Sequence, residues 1–137
     1  MQKAALLVIG LLISSLTFFA NAESNPLSVH VLNLENGLPS SGVEVKLEQK
    51  VGDNWQVLNT AITNEQGRIT GLYPDGKALI KDATYKVTFE TGKWFKAHNV
   101  KTFFPEIPVI FSTDGGLDHY HIPLLLSPYG YSTYRGN

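Results

Sequence analysis

Four histidines carry much of the chemistry open to this chain: His30, His98, His119 and His121. An imidazole with an ordinary pKa of about 6.5 exchanges protons near neutral pH, and it also ligates metals. Two of the four, His119 and His121, fall in the closing run HYHIPLLLSPYGYSTYRGN, which adds phenols and a guanidinium. So much chemistry is unusual in a terminus, where chains tend to fray. A His-x-His pair on a strand can bind zinc, although a third ligand is usually needed. The chain has no Cys, which removes a thiolate nucleophile, a disulfide framework and a Cys-based metal site. Ser127 and Ser132 stand nearby, but neither sits in a Gly-x-Ser-x-Gly elbow, so a covalent serine route is not favoured.

The elements that must position these groups read as strands. Alternation puts His119, His121, Pro123 and Leu125 on one face, and Tyr120, Ile122, Leu124 and Leu126 on the other. The second face is apolar or aromatic and suits a core; the first carries the imidazoles. Ser127 to Gly130 supplies turn chemistry, and the chain returns through Tyr131 to Arg135. Pro123 cannot donate to a ladder, so an edge or interface position is expected for it. Near the other end, Leu27 to Leu34 reads as a strand with Val29 and Val31 on one face and Ser28, His30 and Leu32 on the other. Val43 to Glu48 and Thr84 to Glu90 alternate in the same way, and Trp55 to Thr63 and Val109 to Ser112 are further strands. Thr91 to Asn99 is the one good helix, with Thr91 as its expected N-cap and His98 on its surface; Lys77 to Lys81 allows at most a helical turn. Short strands, frequent turns and one helix predict an all-β two-sheet sandwich.

The 137 residues suggest one domain. Eleven basic against twelve acidic residues give a net charge of −1, with no basic excess for nucleic acid or an anionic membrane surface. Lys3, the apolar run from Ala4 to Ala20 and the Ala20-Asn21-Ala22 site predict a secretory signal peptide over 1–22, leaving a domain over 23–137. The expected location is the periplasm, with no membrane attachment after cleavage.

The closing run resembles the C-terminal signature of the transthyretin-related proteins that are 5-hydroxyisourate hydrolases. Leu27-Ser28-Val29-His30 and Gly67-Arg68 match the same family. The resemblance implies a transthyretin-like sandwich, no cofactor and no metal, and a homotetramer with sites between dimers. It also implies hydrolysis of 5-hydroxyisourate to 2-oxo-4-hydroxy-4-carboxy-5-ureidoimidazoline in urate degradation. His30, Arg68 and His121 are the catalytic residues it implies; His30, Arg68 and Tyr134 would contact substrate. The family usually ends Tyr-Arg-Gly-Ser, whereas this chain ends in Asn137, whose amide can also donate and accept. Asn137 is therefore expected to keep a substrate-binding role. His119 is expected to be a solvated rim residue. The alternative is a transthyretin-like small-ligand carrier without catalysis, which predicts a channel lacking the two imidazoles and the guanidinium.

Overall fold

A computed structural model describes residues 24–137; the expected signal segment over 1–22 lies outside the described residues. The chain runs β1 (Leu27–Asn33), β2 (Leu38–Pro39), β3 (Glu44–Val51), β4 (Asn54–Ile62), β5 (Arg68–Ile69) and β6 (Ala83–Phe89). Helix α1 (Thr91–Ala97), β7 (Ile107–Thr113), β8 (Tyr120–Ser127) and β9 (Gly130–Thr133) follow. One sheet has the order β2-β1-β8-β9, with β5 also paired to β1; the other has the order β4-β3-β6-β7.

The period-2 patterns explain how the two sheets stack. Leu27, Val29 and Val31 of β1 and Leu124 and Leu126 of β8 are fully or almost fully buried, as are Tyr85, Val87 and Phe89 of β6. Burying each such side chain stabilises the fold by about 1.5–3 kcal/mol before entropy is counted. With one face of β1 and β8 committed to the core, Ser28, His30 and His121 emerge half-buried on the opposite face.

The pairing that positions the site is long-range. β1 runs parallel to β8, with Leu27 opposite Tyr120 and Asn33 opposite Leu126. Strands from the two ends of the domain thus lie side by side at the centre of one sheet. β8 and β9 form the expected hairpin, closed by Ser127 against Gly130.

Two local expectations are corrected. Pro123 is not at an edge: it lies buried in β8 between β1 and β9. Its missing N–H falls on the β9 side, where pairing lapses between Thr133 and the single bridge at Gly136. On the same side, Thr133 Oγ1 donates to the Pro123 carbonyl at 2.8 Å, so the acceptor of Pro123 is served even though it has no N–H to give. Thr91 does not cap α1; Glu90 is the cap residue, and Thr91 is buried inside the first turn. Residues 77–81 form no helix, which stays within the single turn at most that their sequence allows. His98 caps the other end of α1, its ring centroid 4.2 Å from that of Trp94 and its Nδ1–H donating to the Trp94 carbonyl at 2.7 Å. That contact makes His98 part of the helix surface, as expected.

Candidate active site

Arg68, His30 and His121 come from β5, β1 and β8, three neighbouring strands. Arg68 is directly opposite His30 in the antiparallel β1–β5 pair. Residues so opposed share a face, with Cβ atoms about 4.5–5.5 Å apart. In the parallel β1–β8 pair, Ser28 is opposite His121 and His30 is opposite Pro123. His30 and His121 are therefore diagonal neighbours on the face that points away from the core.

Glycines make two of these placements possible. Gly67 has φ +70°, and a Cβ there would meet the Val31 carbonyl oxygen at 2.6 Å. The Gly67 carbonyl in turn accepts from Val31 N–H at 2.8 Å. The tight turn is held by Asn64 Oδ1, which accepts from the N–H groups of Gln66 at 3.0 Å and Arg68 at 2.9 Å. A guanidinium can be delivered beside His30 here because the preceding residue has no side chain. Gly136 does the same for His121. Its N–H donates to the His121 carbonyl at 2.9 Å, and a Cβ there would lie 2.5 Å from His121 Cδ2. Gly136→Ala is thus expected to push the His121 ring from its position. A loss of activity with a melting temperature near wild type is the expected result; unchanged kcat/KM would contradict it.

The electrostatics favour neutral imidazoles. Burial lowers the pKa of His30, and the Arg68 guanidinium lowers it further; a hydrogen bond to the Gln66 main chain opposes both. Burial also leads in lowering His121, followed by the positive charges of Arg68, His30 and His119; a hydrogen bond to the Ser28 main chain opposes them. Both rings are held as bases at a pH where a free imidazole has begun to protonate. Beside them stands a cation that keeps its charge throughout the accessible pH range. This combination can accept a proton from water and stabilise an anion developing next to it.

Not every expected residue joins the cluster. Tyr134 is 58% exposed, follows β9, and borders a cleft of about 240 Å³ with Phe111 and Ile122 between the sheet edges. Asn137 is exposed directly after Gly136. Among the described residues, neither side chain hydrogen-bonds to His30, Arg68 or His121. Also among the described residues, no group of three or more His, Cys, Asp or Glu is gathered as a metal site would require.

His119 differs from the solvated rim residue expected. It is exposed, yet both ring nitrogens are engaged: Nδ1 lies 2.8 Å from the Asn25 carbonyl oxygen and Nε2 lies 2.8 Å from Ser28 Oγ. Ser28 Oγ also lies 2.7 Å from His121 Nδ1. Ser28 was missed as a functional candidate. The available signal was its place two residues before His30, on the same face of β1.

Residues 27–136 match the model of the HIUase/Transthyretin family. The chain is 53% identical to the 5-hydroxyisourate hydrolase of Salmonella typhi over 85% of its length and 84% of the relative's. It is 38% identical to the Mus musculus 5-hydroxyisourate hydrolase, covering 84% of this chain and 98% of that one. Among solved structures, the Klebsiella pneumoniae 5-hydroxyisourate hydrolase superposes with a TM-score of 0.71 at 36% identity, over 82% of this chain and 99% of that one. Sea bream transthyretin in complex with thyroxine superposes with a TM-score of 0.74 at 29% identity, over 81% and 94%.

Proposed function

The chain belongs to the HIUase/Transthyretin family, and from that premise we propose that it hydrolyses 5-hydroxyisourate to 2-oxo-4-hydroxy-4-carboxy-5-ureidoimidazoline. The observation that carries this reading is the convergence of His30, Arg68 and His121 on one sheet face, with both imidazoles biased towards the neutral form. The reaction opens the six-membered ring by adding water at an amide-like carbonyl. A neutral imidazole takes a proton from the attacking water. The guanidinium of Arg68 stands where negative charge develops on the carbonyl oxygen. Proton return to the ring nitrogen then lets the C–N bond break. Tyr134 and Asn137, on the chain end next to His121, are assigned to holding the flat substrate.

A carrier without catalysis is the competing reading, and the fold is compatible with it. A hollow for a hydrophobic ligand gains nothing from two desolvated imidazoles beside a guanidinium, whereas water addition uses all three.

In one chain these groups stand on an open sheet face. Closing them into a hollow calls for a second copy, which supports a homotetramer with sites between dimers. Ala20-Asn21-Ala22 supports export to the periplasm. Native mass spectrometry of the exported protein reads both: four copies of a chain beginning near Glu23 are expected, and a monomer or an uncleaved chain would contradict one or the other. The activity is tested by generating 5-hydroxyisourate from urate with urate oxidase and following its ultraviolet decay. Decay faster than the spontaneous rate is expected; no acceleration would end the hydrolase reading.

A further inference from the structure

We propose that Ser28 and His119 form a proton relay behind His121, holding His121 Nε2 free to accept a proton and carrying the resulting charge to an exposed ring. The inference rests on the hydrolase reading and assigns two positioning residues to it.

The hydrogen-bond directions follow from the donor inventory. The Asn25 carbonyl oxygen can only accept, so His119 Nδ1, at 2.8 Å, carries a hydrogen. In a neutral imidazole the other nitrogen is then an acceptor. Ser28 Oγ, 2.8 Å from His119 Nε2, must donate its hydroxyl hydrogen there. With that hydrogen committed, Ser28 Oγ accepts from His121 Nδ1 at 2.7 Å. The chain reads His121 Nδ1–H to Ser28 O–H to His119 Nε2, with His119 Nδ1–H anchored on the main chain. His121 is left with an unprotonated Nε2.

Charge explains why a relay is useful here. The groups facing His121 are His30 from β1, Arg68 from β5 and His119 from the residue just before β8. An imidazolium at His121 would stand beside a permanent cation in a half-buried site. The relay removes it. As the water oxygen bonds to the substrate carbonyl carbon, its proton passes to His121 Nε2. The Nδ1 proton of His121 passes to Ser28 Oγ, and the original hydroxyl proton of Ser28 passes to His119 Nε2. Ser28 and His121 end neutral, and the positive charge rests on His119, which is exposed. The steps reverse when His121 Nε2–H protonates the leaving ring nitrogen. Among the described residues, no hydroxyl links the His30 ring to an exposed imidazole in this way; the Gln66 main chain is what opposes the lowering of its pKa.

The test reads tautomers by ¹⁵N NMR of the imidazole rings in the unliganded full assembly. At neutral pH, His121 is expected as Nδ1–H. His119→Lys puts a donor where His119 Nε2 accepts, and it is expected to turn His121 towards Nε2–H. Adding Ser28→Ala is expected to cancel that turn, and Ser28→Thr to restore it. His119→Gln keeps an oxygen for the Ser28 hydroxyl but cannot take up a proton. It is expected to lower kcat by roughly 10–100-fold with KM unchanged, as when the outer partner of a metal-bound histidine is lost. A neutral-pH Nε2–H tautomer at His121, a His121 signal indifferent to His119, or full kcat in His119→Gln would each overturn the relay. The tautomer readings need no substrate. Wild-type protein inactive on 5-hydroxyisourate would therefore overturn the hydrolase reading without touching them.

Discussion

His121→Ala lowers kcat/KM for 5-hydroxyisourate by about 10²–10⁴, the range spanned by positioned acid–base groups. The loss falls mainly on kcat, because the ring acts as water adds rather than as substrate docks. The assembly is expected to survive. His121 is only half-buried, and its truncation leaves Ile122, Leu124 and Leu126 in the core untouched. Size-exclusion chromatography and circular dichroism should therefore match wild type. Dissociation of the variant would mean that His121 is structural, and near-wild-type turnover would remove it from the chemistry.

Arg68→Ala should cost a similar amount for a different reason. Loss of one preorganised donor to a developing oxyanion costs about 2.7–4 kcal/mol in the barrier, or 10²–10³ in rate. The pH profile adds a second signature. Burial is the leading cause of the lowered His30 and His121 pKa values, and Arg68 is the next. Removing the cation raises both pKa values, so each base is protonated at a higher pH. In the wild type, activity should persist below the ordinary imidazole value of about 6.5 before it falls. In Arg68→Ala the acid limb should move to higher pH, yet not lose the whole shift, because burial remains. A variant whose rate falls with no movement of the limb would place Arg68 away from the imidazoles.

What the sequence revealed and what it hid can be traced to particular residues. Alternation in Leu27 to Leu34 and in Tyr120 to Leu126 correctly separated core from outer face, because side-chain direction in a strand is a local property. It placed His30 and His121 on outer faces. It could not say that the two strands are neighbours, because pairing across the length of a domain leaves no local trace. The same limit hid Ser28, whose part depends on lying opposite His121 in the parallel register. Pro123 misled for a related reason: a residue that cannot donate is tolerated mid-sheet where the neighbouring strand has stopped pairing and a threonine hydroxyl serves the carbonyl. Thr91 has the composition of a cap but is drawn into the core, where its burial outweighs capping. The closing Arg-Gly pair was legible as a motif and opaque as physics. The close approach of Gly136 to the His121 ring supplies the reason for the glycine.

Whether His30, Arg68 and His121 work as one unit is tested most directly by a double-mutant cycle on kcat/KM for 5-hydroxyisourate. Groups acting together on one transition state lose their effects non-additively. The Arg68→Ala/His121→Ala double variant is predicted to be little slower than the worse of its two single variants. Losses that simply multiply would show two independent contributions and contradict a shared site.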